Sequence, residues 1–554
     1  MKKTLSERHW WFLGLGLAIV LIGWSNSLEL RAEEPRRAIV SLEMAMEGHW
    51  LRPEIHDYPY YNKPPLFNWI QSLFIHLTGS AAEWVVRLPG LLSFLLLGWF
   101  SFRFTDREWS RELSTFGAFA FLTSGHLLFY GTVNAGEIDL FLSLVIFGQV
   151  ACIYRGESGQ RLNLLFLGSY FLAAVGAMAK GLPSIAVQGL TLFIYLWIKG
   201  RWRWLLSGYH LAGIALFLAL LGSYLTAYYQ GDDAIAFLVR QFKEASQRTG
   251  FETHWIDTLK GFFQFPLDFL LLIAPWSLGL VLFIDQSIRR AIWNEPLSKF
   301  LLIFLAVNLP LYWITGDHKS RYVYPFLAPA CLLLARVWWL AATARPSWFN
   351  RLKGFLQIIL ALVTLAAFVL PFIPIEASIP SLVWTAPLIG LALAYCLWHF
   401  YQYTDWAHFF WLFRWLILGR LLFNLVYFPI QQQRPDGRRY RAAVERLLTV
   451  GSPIYWTGPP YHYQSDASLG SYKVTEVKLT SAPLITYQIP YYLTRKQGEV
   501  MRYHEQPQAG NWYLSQGEVW TSAGLSLSPK LMAVDSIQDR WINQTLYLWY
   551  YEDR

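Results

Sequence analysis

Apolar runs about as long as a membrane's hydrocarbon core is thick recur along the chain, separated by short polar segments. They fall at 9–26, 84–102, 113–131, 138–154, 162–179, 182–198, 204–227, 264–284, 300–315, 322–341, 354–373, 383–400 and 407–428. This pattern predicts about thirteen membrane spans. The divisions near 131–138 and 179–182 are the narrowest, and each reads equally well as a break within one re-entrant element. The expected fold class is an α-helical polytopic membrane protein, with residues 1–430 as its membrane domain and a soluble α/β domain behind it.

Outside the runs, three segments are long enough to carry structure of their own. Residues 27–83 show helical periodicity at Ala38–Glu47 and Leu66–Leu77, which predicts helices lying along the membrane interface. Residues 228–261 are polar and charged. Residues 431–554 are the only long stretch of soluble composition. A basic helix is expected at Asp436–Leu448, with strands at Pro453–Trp456, Pro483–Ile489, Trp512–Ser515 and Thr545–Tyr551, giving a small mixed α/β domain.

Composition agrees with this reading. The chain is 55% hydrophobic and only 15% charged, far less charged than a soluble protein of this length. Its 28 Trp and 18% aromatic content suit membrane interfaces. The net charge of +9 comes largely from loops. With Lys2, Lys3 and Arg8 in the cytoplasm, Arg103, Arg107, Arg111, Arg155, Arg161, Lys199, Arg201, Arg203, Arg289, Arg290, Lys299, Arg345, Arg351 and Lys353 also fall on the cytoplasmic side, the expected positive-inside bias. No nucleic-acid partner is implied. By the same count residues 27–83, 228–261 and the tail lie outside. The first apolar run is long for a signal peptide and is followed by charge, so it reads as a retained span. Cys152, Cys331 and Cys396 sit in apolar runs with no CxxC spacing, which argues against a disulfide framework or a zinc-thiolate site.

The candidate chemistry begins at Leu30–Pro65. This stretch holds Glu33-Glu34-Pro35-Arg36-Arg37 and ends in Asn62-Lys63-Pro64-Pro65. Pro35 suits the first turn of a helix, and Glu33 and Glu34 would favour its positive end; a capped interfacial helix explains the triplet alone. Other charges sit at span ends on the same outer side: Glu137 and Asp139, Lys180, and Asp317, His318, Lys319, Arg321 and Tyr322. Each cluster alone reads as an interfacial anchor. Together they place carboxylates and isolated lysines on one face. A phosphate at headgroup depth needs cations to offset its desolvation, and a carboxylate can take a proton from a hydroxyl or amine nucleophile. That combination suits transfer of a group from a lipid phosphate to an acceptor. Neither GxxxxGK[ST] nor GxGxxG after a strand occurs, so no nucleotide is implied.

In order and spacing, Glu33-Glu34-Pro35-Arg36, Tyr61-Asn62-Lys63-Pro64-Pro65, Asp139, Ala179-Lys180-Gly181 and Lys319…Tyr322-Val323-Tyr324-Pro325 resemble the bacterial relatives of protein O-mannosyltransferases, the superfamily that includes the lipid A aminoarabinose transferase. The resemblance covers roughly residues 9–341. It implies a GT-C glycosyltransferase that inverts a sugar taken from a polyprenyl-phosphate donor and passes it to a lipid, protein or glycan acceptor. It gives Glu33 or Glu34 the role of base, with Asp139 assisting. It gives Arg36, Lys63, Lys180, Arg248, Lys319 and Tyr322 to the donor sugar and phosphate. Glu33 stands where the family usually has Asp. Asn62 replaces a glutamate, which leaves a divalent metal unsupported and no cofactor required. Two other readings stay open: a transporter or flippase of lipid-linked sugars, and a non-catalytic receptor on the same scaffold.

Overall fold

The computed structural model describes residues 7–551 except 57, 61, 131–132, 230–237, 240–254, 314–318, 374–378, 403–406, 434–438, 452, 458–486, 505–506, 517–530 and 540–543. The chain forms two compact units. One comprises Met1–Ser27, Arg87–Ser223 and Arg248–Gln433, and the other Leu28–Val86, Tyr224–Gln247 and Arg434–Arg554. The first loop, expected as part of the membrane domain, thus belongs to the same unit as the tail.

The membrane unit is helical. Among the described residues nine helices are long and apolar enough to cross a bilayer, or ten if Gly261–Leu272 and Trp276–Ile284, bent by 117°, count as one broken span. His9–Ile22 and Leu182–Ile198 are shorter apolar helices. Arg111–Leu122 and Gly125–Phe129 together occupy the remaining expected run. Each of the narrow divisions falls at a real break. Gly181, with φ 85° and ψ −138°, separates Ser169–Lys180 from Leu182–Ile198, a conformation that a residue with a Cβ avoids. The break ahead of Asp139 is held by side chains. Arg420 is fully buried in the last span. It donates to the Leu128 carbonyl and, at 2.6 Å, to Asn134 Oδ1. Asn134 in turn donates to Leu21 O at 2.6 Å and to Ser25 Oγ at 3.0 Å. A cation in hydrocarbon needs such partners, and here they fix the turn that presents Asp139.

At the centre runs Tyr324–Ala344, buried along most of its length. It packs closely on Arg111–Leu122 because Gly117 carries no side chain: a Cβ there would lie 2.7 Å from Leu332 Cδ2.

The other unit is mixed. Helices Glu34–Glu47 and Leu66–Thr78 pack through a polar seam. Asn68 Nδ2 donates to Arg37 O (3.1 Å) and Ser41 Oγ (2.9 Å), and Ser72 Oγ donates to Ser41 O (2.7 Å). Glu54–Ile55 (β1) and Tyr58–Pro59 (β2) form a short antiparallel pair. The tail adds helices Arg439–Leu447 and Gln488–Gln497 and strands β3 (Ile454–Thr457), β4 (Tyr503–His504), β5 (Trp512–Gln516), β6 (Leu531–Asp539) and β7 (Gln544–Tyr551). These strands form one sheet in the order β4-β3-β5-β7-β6. β3 runs parallel to β4 and β5, while β7 is antiparallel to both β5 and β6.

The end of one expected strand, Pro483–Ile489, is corrected. Ile489 lies in a helix, with Pro490 in its first turn and Ile489, Tyr491, Tyr492 and Leu493 buried. An apolar run of that length does not reveal its period, and residues 483–486 lie outside the described set. Strand β6 was not expected; it is a sheet edge with a half-polar sequence.

The tail is tied to the first loop by buried polar contacts. Glu83 accepts from Arg441 Nε at 2.8 Å, from Tyr492 Oη at 2.9 Å and from Arg495 Nη1 at 3.0 Å. Glu29 accepts from the backbone N–H groups of Arg441 (2.7 Å) and Tyr440 (3.3 Å). Burial pushes the Glu29 carboxyl up to about 7, against the lowering effect of those two N–H groups.

Candidate active site

In the membrane unit, Asp139 is the first residue of its helix and is buried. Lys180 is the last residue of the Ser169–Lys180 helix and donates to Asp139 Oδ1. Both side chains are almost fully buried. A cation at a helix C-terminus and a carboxylate at a helix N-terminus each complement the local dipole. The Lys180 ammonium also lies 5.0 Å from the centre of the Tyr322 ring, within cation–π range. Arg321 pairs with Glu137 at 3.1 Å.

Tyr322 also lines a small pocket of about 20 Å³. Its wall holds Asp268, Tyr312, Lys319, Ser320 and Tyr322 beside Phe265, Phe269, Leu272 and Val323. So Lys180 and Lys319 both approach the ring of Tyr322, and Lys180 joins Asp139 to them. Asp317, His318 and Arg248 lie outside the described residues.

In the second unit, Glu33 precedes the Glu34–Glu47 helix and pairs with Arg36, both side chains 13% exposed. The Arg36 guanidinium sits 5.8 Å from the Tyr487 ring centre. Burial pushes the Tyr487 hydroxyl up to about 12, with Arg36 opposing. Glu34 has no exposure at all, and its Oε2 accepts from the Arg31 N–H at 3.0 Å. The turn between them passes through Ala32 at φ 52°, a costly conformation for a residue with a Cβ. Lys63 is buried just before the Leu66–Thr78 helix. Arg37 is buried too, and its Nε and Nη1 have no hydrogen-bond partner.

Among the described residues, one group of potential metal ligands lies together, Glu47, His49 and Glu54. It does not include the predicted carboxylates. Protein cations already occupy it: Arg52 Nε donates to Glu54 at 2.6 Å, Arg502 Nη2 to Glu47 at 2.8 Å, and His49 Nδ1 lies 2.8 Å from Glu54. That donor set fits an ion-pair network better than a hard cation, which seeks six or more oxygens.

Several known proteins are similar to this chain. Residues 62–225 match the family model of dolichyl-phosphate-mannose-protein mannosyltransferases. The undecaprenyl phosphate-alpha-4-amino-4-deoxy-L-arabinose arabinosyl transferase of Enterobacter sp. is 25% identical over 476 residues, 77% of this chain and 80% of that protein. One from Proteus mirabilis is 23% identical over 348 residues, 60% of each chain. The crystal structure of ArnT from Cupriavidus metallidurans bound to undecaprenyl phosphate superimposes with a TM-score of 0.69 and 17% identity, covering 98% of both chains. These matches make the chain similar to the ArnT-like glycosyltransferases in sequence and in fold. It is a multi-pass membrane protein. The family match spans Lys63, Asp139 and Lys180, whereas Lys319 and Tyr322 lie beyond it.

Two residues were missed from sequence. Asp268 is a charge inside the expected span 264–284, and that signal was available. Tyr487 lies too far along the chain from Arg36 for any local pattern to join them.

Proposed function

We propose that this glycosyltransferase moves a sugar from a polyprenyl-phosphate donor to an acceptor on the outer side of a bacterial inner membrane, with inversion at the anomeric carbon. The observation that carries the reading is the cavity in which Lys319 shares a wall with Tyr312 and Tyr322, the latter ring lying under the Lys180 ammonium. Cations and hydroxyls at the end of apolar helices suit a lipid-borne phosphate, whose charge grows as the sugar leaves.

Glu33 is the proposed base. It retains access to solvent, whereas Glu34 is fully buried and spent on the Arg31 N–H. Asp139 then acts as a positioning residue that holds Lys180. Arg36, Lys63, Lys180, Arg248, Lys319 and Tyr322 are assigned to the donor phosphate and sugar. Lysines supply the positive charge, so the proposed displacement needs neither metal nor nucleotide, and turnover is expected to survive a chelator.

The test is turnover of a polyprenyl-phosphate sugar by purified protein in proteoliposomes. Glu33→Gln and Lys63→Ala are expected to abolish most transfer while the protein stays folded. Full transfer by both would overturn the reading, and movement of the donor across the bilayer without transfer would favour a flippase. Mass analysis of lipid A, glycoproteins and glycans from a deletion strain identifies the acceptor.

A further inference from the structure

Arg37 stands near the start of the helix Glu34–Glu47 and is only 5% exposed. Its Nε and Nη1 make no hydrogen bond. A guanidinium stays charged and can only donate, and burying such a charge without a partner is costly. The neighbouring carboxylates are engaged elsewhere: Glu33 pairs with Arg36, and Glu34 accepts from the Arg31 N–H.

The fold concentrates positive potential at the same end. Contacts between Glu34–Glu47 and Leu66–Thr78 advance in step along both helices. Asn68 Nδ2 donates to Arg37 O (3.1 Å), then Ser41 Oγ to Gln71 Oε1 (3.0 Å) and Ser72 Oγ to Ser41 O (2.7 Å). The two helices therefore run parallel, with the positive ends of their dipoles side by side. Glu33 and Glu34 complement the first of these ends. The second follows Pro65, which offers no side-chain cap, and its first turn holds no acidic residue. Lys63 is buried just ahead of it. Long helical side chains lean toward the N-terminus of their own helix, which carries the Arg37 guanidinium toward this end.

We propose that Arg37 is a phosphate-binding residue, in a site completed by Lys63 and the N-terminus of Leu66–Thr78. The inference rests on the donor reading above, which already gives Lys63 to a phosphate, and adds to it a second cation and a helix terminus. The first N–H groups of a helix have no partner within it and point at an anion placed there. A planar guanidinium fork matches phosphate oxygens in the same way. The phosphate belongs either to the donor or to the acceptor, and the probes below separate the two.

Binding to the full chain in detergent is measured by calorimetry with three probes: polyprenyl phosphate, the matching polyprenol and inorganic phosphate. Arg37→Gln is expected to bind polyprenyl phosphate about ten- to hundredfold more weakly than the wild type, the range for a charge-assisted bond, and polyprenol equally well. Arg37→Met removes a buried charge that has no partner, so without ligand it is expected to melt no lower than the wild type. With phosphate present it should lack the rise in melting temperature that binding gives the wild type. Weakening confined to inorganic phosphate would support the site and assign its anion to the acceptor. Unchanged binding of both phosphates by Arg37→Gln would overturn the inference, and so would a ligand-free Arg37→Met that melts well below the wild type. A wild type that binds polyprenyl phosphate no better than polyprenol would overturn the donor reading, while inorganic phosphate still judges Arg37.

Discussion

The imidazole of His56 donates through Nδ1 to the carbonyl of Met501, 2.5 Å away, which fastens the first loop to the tail. His56 is completely buried, its backbone N–H donates to Glu43 Oε2 at 2.9 Å, and burial lowers its ring to about 4. A histidine held neutral in the fold stabilises fully above its ordinary value of 6.5. That contribution drains away as pH falls from there toward 4, amounting to about 3 kcal/mol in all. His56→Asn is expected to weaken this unit at pH 7.5 and to flatten its loss of stability between pH 6.5 and 4. Thermal unfolding in detergent across that range checks both.

Glu29 has the opposite sign. Its carboxyl is raised from 4.5 to about 7, so the folded state holds the proton longer than the unfolded chain. Its stabilisation is complete below pH 4.5 and is lost as pH rises toward 7, again about 3 kcal/mol. Glu29→Gln is expected to raise the melting temperature at pH 8 more than at pH 5. Because Glu29 and His56 act in opposite directions over the same interval, the two variants should tilt the pH profile of this unit in opposite senses.

The buried Asp139–Lys180 pair should behave as a unit. Removing one partner strands the other charge, at about 3–5 kcal/mol. Asp139→Asn and Lys180→Met are each expected to lower thermal stability strongly. The double variant should cost less than the sum, and a double-mutant cycle reads the coupling. Strictly additive effects would show that the two side chains act independently.

The adjacent glutamates should separate cleanly. Glu33→Gln is expected to cut turnover by about 10²–10⁴-fold, the usual reach of a general base, with little change in melting temperature. Glu34→Gln should do the reverse, since its amide replaces the acceptor for the Arg31 N–H imperfectly. Turnover and melting curves measured on the same preparations decide the matter.

The spans were legible because a period of hydrophobicity as long as a membrane survives any detail of packing. The helices at Glu34–Glu47 and Leu66–Thr78 were legible for a similar reason, their amphipathic faces being local. Lys180 and Tyr322 could be nominated as charged or polar interruptions at span ends. Their meeting over one ring could not be read, because it depends on Gly181 and on where two distant helices pack. Tyr487 and Met501 carry no sequence signal for their partners Arg36 and His56. The strand expected at Pro483–Ile489 ran into the helix Gln488–Gln497 at Gln488 and Ile489, because so short an apolar run shows no period.

The unit held by Glu29, Glu83 and His56 is assembled from stretches separated by most of the membrane helices. During synthesis the first loop emerges hundreds of residues before Arg441, Tyr492 and Met501 exist. Until the last span is threaded, its acidic anchors face solvent or borrowed partners, so this half of the molecule matures only after translation ends. A premature stop anywhere in the tail would therefore damage the earliest-made loop as well as the missing end.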